Sequence, residues 1–334
     1  MMTRRFLFLF SAACILLVGG CKVHEVPEGG DDGAVVELTL NLKFDKDLPL
    51  YKEIDYESKG SEAYTGRIVV GLFRYASDKA NDKPDYVFVF DEAAGPQDLS
   101  EVVRVAPMNY QVLVWADYVS SSTVFYTSPV FYNDLSADKF TVVTLEDPYC
   151  GNTPWRDAFY GVQDVKLSSY LENLSKHSID VQMERPNARY NFVATDKDQF
   201  AKYMASKSGD EFDVTDFLVK ITYPQFLPCA YDVLKEAPVD SRTGVEFDVT
   251  PTLLSDGNID LGSDWVFANG DKTSVIVTLS FYDANGQFIS SLNNLEVPLC
   301  RGKNTTIKGA LLTSGVSSGI SIDPSFDGEY VIEF

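Results

Sequence analysis

The feature that most constrains this chain is a strict period of two. Val36, Leu38, Leu40, Leu42 and Phe44 alternate with Glu37, Thr39, Asn41 and Lys43. Successive side chains of an extended strand point to opposite faces, so this pattern buries one face and wets the other. Further stretches rich in aromatic and β-branched residues predict strands at 67–76, 85–92, 101–106, 109–119, 123–132 and 140–147. The series resumes at 178–196, 217–226, 264–269, 273–286, 305–313 and 329–334. Turn-forming clusters separate them at short intervals, which suits packed antiparallel sheets and not a βαβ fold. Asp283-Ala284-Asn285-Gly286 predicts a hairpin turn, with Asn-Gly supplying positive φ. One helix is expected over 196–207, where Phe200, Tyr203 and Met204 fall on one face and Asp196 can cap the start. Leu48 to Gly66 is expected to be a long loop. Pro186 reads as a bulge or strand edge near the junction of two domains, 34–176 and 177–334.

The residues ahead of the first strand have a different character. Arg4-Arg5 precedes an apolar run, Phe6 to Val18, that is short for a membrane-spanning helix. A positive flank, a short apolar core and small residues form the pattern of an export signal, here residues 1–20. Val18-Gly19-Gly20-Cys21 resembles a bacterial lipobox. That resemblance implies cleavage between Gly20 and Cys21, diacylation of Cys21 and an acylated new N-terminus. Several acyl chains, at roughly 0.8 kcal/mol per buried methylene, anchor a protein effectively permanently. Residues 21–33, rich in glycine and acid, then form a tether with little to bury. Acids soon after the cysteine resemble the surface-export signal of Bacteroidetes lipoproteins, with Lys22-Val23-His24 intervening before Glu25.

Composition excludes several functions. The formal net charge is −21; removing Arg4 and Arg5 with the signal leaves 26 basic against 49 acidic residues, a net of −23. Such a chain repels a phosphate backbone, and no basic patch overrides the total, so nucleic acid is not expected as a partner. His24 and His177 are the only histidines, which argues against a multi-histidine metal site or a histidine-based triad. No cysteine pair has C-x-x-C spacing, and no nucleophile elbow, P-loop or dinucleotide fingerprint occurs. The short acidic clusters 82–85, 256–260 and 323–329 do not match an EF-hand loop. No catalytic residue, cofactor or metal site is therefore assigned. Cys150, Cys229 and Cys300 cannot all pair within one chain. Trp115 and Trp265 lie in apolar alternation and are expected in the core; Trp155, beside Pro154, is the one candidate for an exposed sugar platform.

Several phrases in order after the lipobox carry a family resemblance: NYQVLVWADYV (109–119), RDAFYG (156–161), VQMERPNARYNFVATD (181–196), YPQFLPCAYDV (223–233) and VPLCRGKNTTIKGALLT (297–313). The chain resembles the fimbrillin-type lipoproteins of Bacteroidales, FimB-like accessory proteins included. The resemblance implies an all-β fold: two tandem transthyretin-like β-sandwich domains with Greek-key topology and at most one or two short helices. It also implies a structural role as an accessory or anchor subunit of a surface fimbrium, located at the outer membrane through its lipid. Its partners would be other fimbrial subunits, joined by β-strand exchange. In polymerising members an arginine-specific protease removes the first strand, and a neighbour's last strand fills the groove. Here the removable strand would be 35–44 and the candidate cleavage point Arg67, the first arginine after the signal; Lys52 and Lys59 fit the loop better and the protease worse. Glu329, Tyr330, Val331, Ile332, Glu333 and Phe334 would be the donor strand, the alternative being a last strand paired within its own domain. The scarcity of arginine in the first loop favours an uncut, membrane-retained subunit. The alternative function is a non-polymerising surface lipoprotein that binds a glycan or host protein.

Overall fold

The computed structural model describes residues 33–46, 64–92, 98–120, 131–133, 140–144, 149–208, 217–314 and 329–331. The first half supplies β1 (Val36–Phe44), β2 (Tyr64–Ala76), β3 (Lys79–Ala80), β4 (Tyr86–Glu92), β5 (Leu99–Val105), β6 (Asn109–Ser120), β7 (Phe131–Asn133), β8 (Thr141–Thr144), β9 (Phe159–Lys166) and β10 (Ser175–Met183). The second supplies β11 (Asn187–Ala194), α1 (Lys197–Ser208), β12 (Phe217–Tyr223), β13 (Leu227–Asp232), β14 (Ala237–Arg242), β15 (Val245–Val249) and β16 (Thr252–Leu253). It continues with β17 (Ile259–Phe267), β18 (Lys272–Asp283), β19 (Phe288–Cys300), β20 (Asn304–Gly309) and β21 (Glu329–Val331). The fold is all-β, with α1 the one α-helix among the described residues.

Each half is a β-sandwich with strands out of sequence order. In the first, the sheet β10-β1-β5 faces the sheet β3-β2-β6-β9, in which β4 also pairs with β2. Leu38, Leu40, Val70, Val112, Phe159 and Met183 meet between them. In the second, β16-β17-β11-β20-β21 faces β15-β12-β18-β19 around Tyr190, Phe192, Ile221, Leu279 and Val297. The hairpin between β18 and β19 forms as expected: the amide of Gly286, at φ 77°, donates to Asp283 O, and that of Asp283 to Gln287 O. Glycine is required where elements meet too closely for a side chain. A Cβ on Gly161 would lie 2.7–2.9 Å from Val181, Met183 and the Gln182 carbonyl, so its absence lets β9 rest on β10.

Two details differ from expectation. β10 begins at Ser175 and pairs with β1 through Met183, so the expected 176/177 boundary falls inside a strand of the first sandwich. Pro186 lies between β10 and β11, where the chain passes into the second sandwich. Asp196 sits at the start of α1, but its carboxylate accepts the amides of Leu312 and Thr313 and the Thr313 hydroxyl, holding the chain after β20.

The two sandwiches are not separate beads. A further sheet, β14-β13-β8-β7, takes two strands from each half, with Ala230, Tyr231 and Asp232 of β13 opposite Val143, Val142 and Thr141 of β8. It covers the outer face of β2 and β6, where Val69, Phe73, Leu113 and Trp115 pack with Phe131, Phe140, Tyr231 and Phe267. The sheet holding β2 and β6 is thus buried on both faces. Neither half completes this junction core alone. Calorimetry is expected to give one unfolding transition whose van't Hoff and calorimetric enthalpies agree. Two resolved transitions would contradict a shared core.

Candidate functional site

The site singled out by this topology is the seat of the first strand. All nine residues of β1 align in parallel with β10, from Val36 opposite Ser175 to Phe44 opposite Met183. Seven align antiparallel with β5, from Val36 opposite Val105 to Leu42 opposite Leu99. The first strand is therefore the middle strand of its sheet. Val36, Leu38, Leu40, Leu42 and Phe44 are all buried, the last edge-on to Phe159 at 5.0 Å between ring centroids. Each such side chain contributes roughly 1.5–3 kcal/mol of transfer free energy. Five together match the whole net stability of a typical domain, about 5–15 kcal/mol.

Polar contacts hold the wet face and both ends. The Asn41 amide donates to Ser178 Oγ (3.0 Å) and Asp180 Oδ1 (2.9 Å) on β10, while its carbonyl accepts from Ser100 Oγ (2.8 Å) on β5. Arg104 of β5 pairs with Glu37 at 3.1 Å. At the start, the Val35 amide donates to Asn173 Oδ1 and its carbonyl accepts from the Leu174 amide. At the end, the Asp45 amide donates to Met183 O. The Phe44 amide donates to Asp98 Oδ1 at 2.9 Å, and Lys46 meets Asp98 Oδ2 at 3.1 Å. The bond from the Phe44 amide, first, holds the Asp98 carboxyl below its ordinary range; burial opposes it, and Lys46 and Lys43 add to the lowering.

The structure corrects the expectation for Arg67. It lies within β2 and not at the end of a loop, between Asp91 of β4 and Asp117 of β6. Arg67 and Asp117 are fully buried and make a two-pronged pair, Nε to Oδ1 at 2.8 Å and Nη2 to Oδ2 at 2.6 Å. A protease needs an accessible backbone and a free side chain; Arg67, in a strand paired on both sides, offers neither in the folded protein. Lys52, Lys59, Gly20 and Cys21 lie outside the described residues. Of the expected donor strand, Glu329, Tyr330 and Val331 form β21, an edge strand parallel to Thr306–Lys308 of β20 in the same half. Ile332, Glu333 and Phe334 lie outside the described residues. Trp115 and Trp265 are buried. Trp155 is half-buried against the junction core and edge-on to Tyr118, so it forms no flat exposed platform.

Sequence reasoning missed the ionic cluster at the junction. In a short 3₁₀ turn, Pro154–Arg156, Arg156 is buried with its guanidinium 4.4 Å above the Tyr149 ring and Nε 3.5 Å from Asp264 Oδ1. Asp264 Oδ2 accepts the hydroxyls of Tyr149 (2.8 Å) and Tyr223 (2.7 Å), and the Tyr190 and Tyr223 hydroxyls share a bond of 2.6 Å. Burial pushes these three phenols far above their ordinary range, so they remain protonated donors. Beside them Arg185 Nε donates to Asp157 Oδ1 at 2.7 Å and stacks 4.4 Å over Phe159. The Asn187 amide donates to Arg156 O. These groups join the turn before β9 to the start of the second sandwich. Arg156 Nη2 also reaches Thr144 Oγ1 of β8 at 3.5 Å, while Arg156 Nη1 and Arg185 Nη1 make no hydrogen bond, so charge pairing and ring stacking fasten the halves here more than a complete hydrogen-bond set does.

A protein-family profile described as "Family of unknown function (DUF6562)" matches residues 30–334. The chain belongs to this family. No curated protein matches it. Among solved structures, a DUF1812 protein from Bacteroides thetaiotaomicron is 11% identical, with a TM-score of 0.43 over 77% of this chain and 80% of that one. The fimbrial anchor protein Mfa2 from Porphyromonas gingivalis is 10% identical, with a TM-score of 0.41 over 78% and 82%. A fimbrial assembly protein from Parabacteroides distasonis is 13% identical, with a TM-score of 0.34 over 82% and 90%. The DUF6562 match begins shortly before β1 and takes in β1, its seat and the junction.

Two measurements check this geometry. Asp264→Ala leaves Arg156 buried without its carboxylate and is expected to lower unfolding stability by about 3–5 kcal/mol in urea titrations. Asp98 has a depressed pKa in the fold, so its contribution is present above the unfolded value of about 3.9 and is lost as pH falls below it. Hydrogen exchange at the Phe44 amide, corrected for intrinsic rates, is expected to lose protection through that window before Leu40 does.

Proposed function

We propose that this DUF6562 protein is a structural surface lipoprotein of fimbrial accessory or anchor type, held in the outer membrane through Cys21 and keeping its first strand. The seat of β1 carries the proposal. The first strand after Cys21 in the described residues has a partner on each side. Strand exchange needs an empty groove, because an added strand gains affinity by satisfying unpaired backbone groups and an exposed apolar slot. With β1 in place the groove between β5 and β10 is filled. The subunit can then give a strand but not receive one, which suits it to one end of a polymer. Its C-terminal segment, including β21 at a sheet edge, is the part that would reach the groove of the next subunit. The burial of Arg67 supports the uncut state, since cleavage there would first require β2 to leave its sheet.

Mass spectrometry of the protein from native membranes tests this. The expected N-terminus is an acylated Cys21, and treatment of the folded protein with an arginine-specific protease is expected to leave the bond after Arg67 intact. An N-terminus at Ile68 would overturn the anchor reading. Electron microscopy after gene deletion is expected to show fibres lost from the cell surface. Unchanged fibres together with lost capture of a glycan or host protein would favour the binding alternative.

A further inference from the structure

The direction of β1 relative to β10 has a mechanical meaning. A protein held at its N-terminal end and loaded through its second sandwich receives force at the start of β1. The backbone carries that force out at the end of β10, where Met183 leads through Pro186 to β11. Because the two strands are parallel and in register, the start of β1 lies opposite Ser175 and the end of β10 lies opposite Phe44. The loaded ends are therefore at opposite ends of one nine-residue ladder. Force applied this way slides the strands along each other, so the ladder bonds resist together. Had the strands been antiparallel, the same load would enter and leave at one end and open the bonds one at a time.

We infer that the β1–β10 ladder is a shear clamp, a load-bearing element that resists extraction of the anchored strand from the rest of the protein. The surrounding contacts are placed for such loading. Asn41, one residue past the middle of β1, bridges to both β10 and β5, so sliding in either direction must break its three bonds. The Val35–Leu174 and Asp45–Met183 backbone bonds extend the ladder by one step at each end. Just past the exit, Glu184 exchanges backbone bonds with Tyr160 on the facing sheet (2.8 and 2.9 Å), and Arg185 is pinned to buried Asp157. Load leaving β10 is thus passed to β9 and the junction before it reaches the second sandwich. The five buried side chains of β1 must also be dragged past their neighbours as the strand slides.

This inference rests on the anchored reading for its biological direction, but its physical content is testable without a lipid. The mature, lipid-free chain is pulled in a single-molecule force instrument from an enzymatic tag at its N-terminus. The second handle is an azide-bearing residue replacing either Gln182 or Lys176, both exposed on β10. The first pair of handles shears the ladder and the second peels it. Forced unfolding reports the height of the barrier, so at equal loading rate the Gln182 handle is expected to give a rupture force at least about twofold higher. Asn41→Ala is expected to lower the shear value and leave the peeling value nearly unchanged. Both handle variants should share the unmodified protein's thermal midpoint, which secures the comparison against misfolding. Equal rupture forces in the two geometries would overturn the clamp, whatever mass spectrometry finds at Cys21. Failure to find a lipid there would overturn the anchored reading and leave the clamp's force ratio standing.

Discussion

Between β5 and β10 there is a gap one strand wide, and the chain's own first strand fills it. The arrangement follows from unpaired backbone. Both neighbours present donors and acceptors toward the gap, and the opposite sheet presents an apolar floor of Val70, Val112 and Phe159. A strand with strict alternation satisfies all three boundaries at once, with apolar side chains down, polar side chains up and peptide groups to both sides. The rest of the first sandwich is organised around that fit. β2 and β6 supply the floor, β9 closes the far edge over Gly161, and the ends of β1 are held by Asn173 and Asp98.

The second constraint is charge without water. Arg67 with Asp117, Arg185 with Asp157, and Arg156 with Asp264 and its tyrosines are all removed from solvent. Buried ion pairs of this kind contribute less to stability than their geometry suggests, because desolvation offsets the attraction. Losing one partner is nevertheless severe. Such pairs therefore penalise wrong arrangements more than they reward the right one. In this chain they sit where mispairing would be easiest: between adjacent hydrophobic strands, and at the meeting of two sandwiches of similar build.

The strands were legible where one face is wet. Val36–Phe44 alternates cleanly and is a strand over those residues, and the Asn285-Gly286 turn needed only its local chemistry. The double burial of β6 was less so. Val112-Leu113-Val114-Trp115-Ala116 has no alternation, which is the signature of a strand covered on both faces. The burial of Arg67 was hidden for a related reason. A charged residue beside an apolar run reads as the edge of a strand, yet a cross-strand aspartate fifty residues away permits burial. That partner has no local signal. Asp196 likewise looked like a cap, but it serves residues 312 and 313. The seat of β1 between strands so distant in sequence also could not be read from periodicity, because alternation fixes which face is buried and not which strands lie beside it.

The position of β1 also dictates an order of assembly. Asn41 and Asp180, bonded in the native protein, are 139 residues apart. Closing so long a loop costs entropy before any contact repays it, and folds dominated by distant pairings form slowly. The first strand to be synthesised is thus among the last to find both neighbours. In the interval it is an exposed, alternating apolar strand with two open edges, the kind of segment that joins the wrong partner. Glu37, Asn41 and Lys43 place polar and charged groups along that strand, the kind of side chain that discourages pairing with a copy of itself before the seat is built.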